Sequence, residues 1–94
     1  MAKKKVQPKS DLPPGWVRIS KAAALAAVSK QTVEYYIMLG LITPLRQESR
    51  YGRFFDTGLV KRIKLIRRLN ETGYALRDIR EIYLKGKRSQ NFND

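Results

Sequence analysis

Ile19-Ser-Lys-Ala-Ala-Ala-Leu-Ala-Ala-Val-Ser-Lys-Gln-Thr-Val-Glu-Tyr-Tyr-Ile-Met-Leu-Gly-Leu-Ile42 is the stretch whose reading decides the fold. Its first part is dense in alanine, the strongest helix former. Ser20 is a good N-cap for a helix that reaches Ala27. Ala22, Leu25 and Ala26 share one face of it, and small residues there let a neighbouring helix approach closely. Val28 closes the turn, and Ser29 caps a second helix from about Lys30 to Leu39. Val33, Tyr36, Ile37 and Gly40 recur at helical spacing and form its core side. Gln31, Glu34, Tyr35 and Met38 fall on the other side. Two short helices joined by a tight turn, the second presenting polar residues and tyrosines, have the layout of a helix-turn-helix. Such a motif sets its second helix in the DNA major groove.

Beyond this motif, Gly40 suits a left-handed C-cap, Leu41-Ile42 returns to the core and Pro44 prevents the helix from continuing. Residues 45–55 (LRQESRYGRFF) read as a short hairpin in which Arg46, Arg50 and Arg53 alternate with Tyr51, Phe54 and Phe55. Gly52 supplies the positive φ that a tight turn needs, and one of the two phenylalanines anchors the hairpin in the core. A strand–turn–strand of this size after a helix-turn-helix is a wing. Asp56 is the N-cap of a third helix, about Thr57 to Thr72, with Leu59, Ile63, Ile66 and Leu69 as its apolar stripe and Gly73 as its stop. A fourth helix, about Leu76 to Leu84, turns Leu76, Ile79 and Ile82 or Tyr83 inward. The expected fold is therefore mainly α: about four helices with a small two-stranded wing. Residues 15–84 form the domain, between a flexible basic arm at 1–14 and a polar disordered tail at 85–94. Trp16 packs on the domain edge.

Composition narrows the function. Ninety-four residues make one small domain. Twenty Lys and Arg against eight Asp and Glu give a net charge of +12, and the pI is near 10.4, which predicts a polyanionic partner. There is no cysteine and no histidine. Disulfides, Cys/His zinc sites and the common nucleophile–base pairs are excluded. Asp78 and Glu81, the only close helical carboxylate pair, read as a solvated salt-bridge face. The expectation is a protein that is not an enzyme and uses no cofactor. No apolar run has the length of a membrane span and no signal peptide is evident, so the expected location is the cytoplasm, at the bacterial nucleoid.

At this point the chain resembles the DNA-binding domain of the MerR (mercury-resistance regulator) family. Ile19, Ala23, Val28-Ser29, Thr32-Val33, Tyr35-Tyr36, Gly40-Leu41-Ile42, Pro44, Arg53-Phe54-Phe55-Asp56 and the segment from Gly73 to Ile79 fit the family pattern in order, over about residues 18–84. Three positions depart from it. Glu34 stands where the family has an arginine before the tyrosine pair. Gln31 occupies a position that is frequently basic. The wing reads Arg50-Tyr51-Gly52-Arg53 where Gly-Tyr-Arg is usual. The chain stops soon after the fourth helix, without the long dimerisation helix and effector domain of full-length members. Two readings follow: the N-terminal part of a longer regulator, or a stand-alone DNA binder. No small-molecule effector is expected from this chain.

The candidate DNA contacts follow from position and chemistry. Gln31 on the exposed start of the second helix can bond bidentately to adenine, and Lys30 beside it reaches phosphate or guanine. Thr32 completes that turn. Glu34 can accept from cytosine, repel wrong sites, or pair with Lys30 four residues back. Tyr35 is exposed and Tyr36 mainly core; the resemblance implies that the pair contacts the DNA backbone, to which a phenol donates well. Arg46, Arg50 and Arg53 suit phosphates or a narrow minor groove, with Tyr51 against a sugar. Lys61, with Lys64 and Arg68, lies on the exposed side of the third helix. The leading expectation is a sequence-specific regulator of double-stranded promoter or operator DNA, with no membrane role; the resemblance implies binding as a homodimer to an inverted repeat. The alternative is an excisionase-like architectural factor for recombination. A basic adaptor for RNA or an acidic surface ranks third.

Overall fold

Four small side chains decide how closely the first helix seats: Ala22, Ala23 and Ala26 are buried, and Ala27 makes the turn. The computed structural model of the protein describes residues 12–48 and 50–85. Its elements run α1 (Ile19–Ala26), α2 (Lys30–Met38), β1 (Leu45–Gln47), β2 (Arg50–Phe54), α3 (Thr57–Glu71) and α4 (Leu76–Asp78), and α4 continues as a π-helical segment over Ile79–Lys85. The core joins the α1 alanines to Val33 and Tyr36 of α2, Leu41 and Ile42 after it, Phe55, Val60, Ile63 and Ile66 of α3, and Ile79. Fully burying each larger aliphatic among these contributes about 1.5–3 kcal/mol. The expected basic arm and polar tail lie outside the described residues, apart from residues 12–14 and Lys85.

Helices α1, α2 and α3 end by one device. After α2, the Gly40 amide donates to the Ile37 carbonyl and the Leu41 amide to the Tyr36 carbonyl; after α3, Gly73 donates to Asn70 and Tyr74 to Leu69. This is the Schellman pattern, whose left-handed residue is usually glycine. After α1 the same pair of bonds runs from Ala27 to Ala24 and from Val28 to Ala23, but the left-handed residue is Ala27, at φ 61°. An L side chain in this conformation costs about 1–2 kcal/mol. Gly40, at φ 79°, takes the left-handed conformation that favours glycine, and a Cβ there would also lie 3.2 Å from Nε of Arg80.

Several details differ from the sequence reading. Helix α1 begins at Ile19 with Arg18 as its cap, because the Arg18 carbonyl already accepts from the Ala22 amide; Ser20 lies inside the first turn. The inward face holds Ala23 rather than Leu25, which is 49% exposed, so the helix is rotated by about one residue. Gly52 has the expected positive φ, 113°, but sits within β2 rather than in the hairpin turn. Both Phe54 and Phe55 are fully buried. The fourth helix widens after one turn. In a π segment the bonds run i to i+5, so a residue three beyond Ile79 no longer stacks on it, and Ile82 turns outward at 58% exposure. The side chain of Tyr83 lies outside the described set.

The wing is an antiparallel pair, Leu45 opposite Phe54 and Gln47 opposite Arg50, with an irregular register between them. Val17 extends it through two backbone bonds with Phe55, at 2.9 and 2.8 Å. Trp16 stacks at a tilt on Phe54, their ring centroids 6.1 Å apart.

Ala27→Gly is expected to raise stability by about 1 kcal/mol by removing the left-handed strain, read as a higher urea midpoint with an unchanged slope. Val33→Asp, which would place an unpaired charge at a fully buried site, is expected to abolish cooperative unfolding and the helical circular dichroism signal.

Candidate nucleic-acid interface

The first turn of α2 is built by its cap. Ser29 Oγ accepts from the Thr32 amide at 3.0 Å, and the two hydroxyl oxygens lie 2.9 Å apart. The Thr32 side chain therefore serves the cap and is half-buried. Lys30 and Gln31 are exposed beside it at the positive end of the helix dipole, where an anion is favoured. Val33 and Tyr36 face the core, which leaves Tyr35 (47% exposed) and Met38 on the outer side. The tyrosine pair is thus split. Tyr36 is 4% exposed. Burial pushes its hydroxyl pKa up, opposed by the charge of Arg67 and assisted by that of Glu71, so it stays protonated. Tyr35 presents the free face.

Two arginines hold the wing to the body. Arg18 lies with its guanidinium carbon 4.7 Å from the centroid of the Phe54 ring, a cation–π geometry, and donates to the Tyr51 carbonyl at 3.4 Å. Gly52 has φ 113°, in the left-handed region that favours glycine, and a Cβ there would also meet this guanidinium. Arg53 grips α2 instead. Its Nη1 and Nη2 donate to Glu34 Oε1 at 2.9 Å and Oε2 at 2.8 Å, a two-point fork. The hydrogen bonds from Arg53 hold the Glu34 carboxyl below the usual carboxylate range, against some desolvation and with further help from the charges of Arg53 and Lys30. The same contact moves Arg53 further upward, so it stays charged. Of the roles read for Glu34, pairing with Lys30 gives way to pairing with Arg53; Lys30 acts on it through charge alone.

The remaining candidates lie on the wing and on α3. Arg46 is exposed on β1, Arg50 is half-buried on β2, and Tyr51 between the two arginine straps is 96% exposed. Lys61 is exposed in the first half of α3, outside the helix–wing contact. Two features escaped the sequence reading. Arg18 precedes its partner Tyr51 by 33 residues, and no local pattern announces the strap. A groove of about 520 Å³ beside α2 is lined by Tyr35, Leu39, Asn70, Leu76, Arg77 and Arg80. The glycine at position 40 was its only sequence sign, since Arg80 crosses the backbone there.

A helix-turn-helix followed by a two-stranded antiparallel wing defines a winged helix-turn-helix protein. Residues 17–85 match the MerR HTH family of regulatory proteins, and the chain belongs to that family. Its members are DNA-binding transcription regulators. The chain is 47% identical over 64 residues to the HTH-type transcriptional regulator CueR of Bacillus subtilis, covering 68% of this chain and 44% of that protein. It is 40% identical over 63 residues to the mercuric resistance operon regulatory protein of Bacillus cereus, covering 66% and 47% respectively. It is 34% identical over 68 residues to the uncharacterized regulator YyaN of Bacillus subtilis, covering 72% and 49%. The chain thus spans about half the length of these relatives. These likenesses support a transcriptional regulator and lend nothing to the excisionase alternative. No helix among the described residues is long and apolar enough to cross a membrane.

The Glu34 shift has a definite pH signature. A carboxyl whose folded pKa is lowered contributes stability that is complete above its unfolded pKa and is lost as pH falls through the lowered value. Because the pair is exposed, the contribution is small: the difference in melting temperature between wild type and Glu34→Gln is expected to be slight and constant at neutral pH and to shrink further as the solution is acidified. Thermal melts of both proteins across pH check it.

Proposed function

We propose that this chain is the DNA-reading part of a bacterial transcriptional regulator and binds double-stranded operator DNA in a sequence-specific way. The observation that carries this reading is the fixed alignment of the exposed face of α2 with the wing, joined by the Arg53–Glu34 fork. An α-helix fills a major groove, and a wing beside it meets the flanking backbone. In this reading Gln31 reads a base edge, Lys30 contacts base or phosphate and Tyr35 donates to phosphate. Arg46, Arg50 and Tyr51 lie along the backbone or the minor groove, and Lys61 adds a phosphate contact. Thr32 and Tyr36 support the helix from its cap and its core side. Residues 15–84 are the reading unit, and the lysines of residues 1–14 add to its charge. Two copies bind an inverted repeat as a homodimer, in the cytoplasm at the nucleoid. Neither cofactor nor catalysis enters this role.

The reading is supported by a chain charge of +12 together with a helix-turn-helix to direct it. Selection of duplexes from a random pool at near-physiological salt tests it. The expected product is an inverted repeat whose binding falls with salt at a log–log slope of about −0.9 per phosphate neutralised. Gln31→Ala is expected to change the preferred base at one position per half-site, at a cost of about 1–3 kcal/mol in discrimination, without altering the fold. Recovery of no motif together with a flat salt profile would contradict the reading.

A further inference from the structure

Glu34 is the only carboxylate on α2, and it occupies the side of the helix that the proposed function turns toward a polyanion. An unpaired charge there would repel every duplex equally. It is not unpaired: both oxygens are held by the two terminal nitrogens of Arg53 on β2. The side chains are 43% and 30% exposed respectively. A pair so accessible to water adds little to fold stability. What a two-point guanidinium–carboxylate fork does add is direction, because both planes must align. The opposite attachment of the hairpin is also made by an arginine, Arg18, bonded to the Tyr51 carbonyl and seated on Phe54. The wing is thereby held at two points, at Tyr51–Phe54 by Arg18 and at Arg53 by Glu34.

We propose that Glu34 and Arg53 form a positioning clamp that sets the wing angle relative to α2, so that wing and recognition helix engage DNA in one register. Arg53 is accordingly a positioning residue and not a phosphate contact, and Glu34 is the helix end of the clamp and not a base reader. This rests on the reading of α2 and the wing as one DNA interface. The clamp also accounts for the carboxylate itself. Arg53 cancels the charge that would oppose DNA, and Glu34 withdraws one arginine from sequence-blind attraction to phosphate. The two side chains together trade general affinity for a fixed geometry.

The test compares wild type, Glu34→Gln, Glu34→Ala, Arg53→Ala and the charge-exchanged double variant E34R/R53E. The first readout is backbone ¹⁵N relaxation of the wing amides in the DNA-free protein. The second is the ratio of affinities for a selected duplex and a random one, with the salt slope of each. In Glu34→Ala the wing amides, Tyr51 foremost, are expected to gain mobility. Released Arg53 is expected to steepen the salt slope by about 0.9, and the specificity ratio to fall about tenfold, within the range of a single lost base readout. Glu34→Gln is expected to lie between, and Arg53→Ala to loosen the wing while weakening all duplexes. The exchanged pair E34R/R53E is expected to restore both wing order and the wild-type specificity ratio. Two results overturn the clamp: unchanged wing relaxation in Glu34→Ala, or a base preference altered at one position that the exchange does not rescue. If wild type selects no duplex motif, the DNA reading fails while the relaxation data on the free protein still decide the clamp.

Discussion

The fold depends on the close approach of α1 to its neighbours. Helix α1 packs against both α2 and α3, and the side chains it offers at the contact are Ala22, Ala23 and Ala26, all essentially unexposed. Alanine lets the helix backbones approach where a larger side chain would separate them, and cores tolerate little added volume. With α1 seated in this way, Val33 and Tyr36 are forced inward and the opposite side of α2 faces solvent. The chain then leaves α2 at Gly40, where a positive φ and the lack of a side chain admit Arg80. Leu41 and Ile42 re-enter the core and deliver the hairpin to its position beside α2. The orientation of the candidate DNA surface is thus a consequence of small-residue packing on the other side of the helix.

Charge is distributed less simply than the net value implies. Several of the cations have structural roles: Arg18 on Phe54, Arg53 on Glu34, Arg67 on Glu71 and Arg80 on Glu81. The last two pairs are exposed and add little to stability. The first two fix the wing. Lys30, Arg46 and Lys61 remain solvent-facing around the recognition helix, the hairpin and α3. The two arginine straps thus use charge to hold the wing in place.

Much of this was legible in the sequence. Ser29 and Asp56 cap α2 and α3 as their positions foretold, each side chain accepting from the amide three residues on. Gly40 lies in the left-handed region, and Val33 and Tyr36 form the inward side of α2. These features are local, set by cap chemistry and helical period. What was not legible depends on contacts distant in sequence. Ser20 had the better chemistry for a cap, but the chain pairing of Val17 with Phe55 carries the strand up to Arg18, and the helix starts there. Helical spacing places Leu25 on the face of Ala22 and Ala26, but Ala23 takes the inward position and Leu25 is exposed. Gly52 has the positive φ expected of it, but within β2, and the Arg18 guanidinium that crosses it lies far back in the chain. Glu34 offered Lys30 as a partner at helical spacing, yet the fork geometry of Arg53 from the wing prevailed. Glu34, a departure from the family pattern, is where helix and wing are joined.

The measurement that tests the account most directly is a chemical-shift map of the ¹⁵N-labelled chain titrated with a duplex carrying the selected motif. The largest changes are expected to fall together on Lys30, Gln31, Glu34 and Tyr35 of α2 and on Arg46, Arg50 and Tyr51 of the wing, saturating at one ratio of protein to duplex. Changes confined to other surfaces, with α2 and the wing silent, would contradict it.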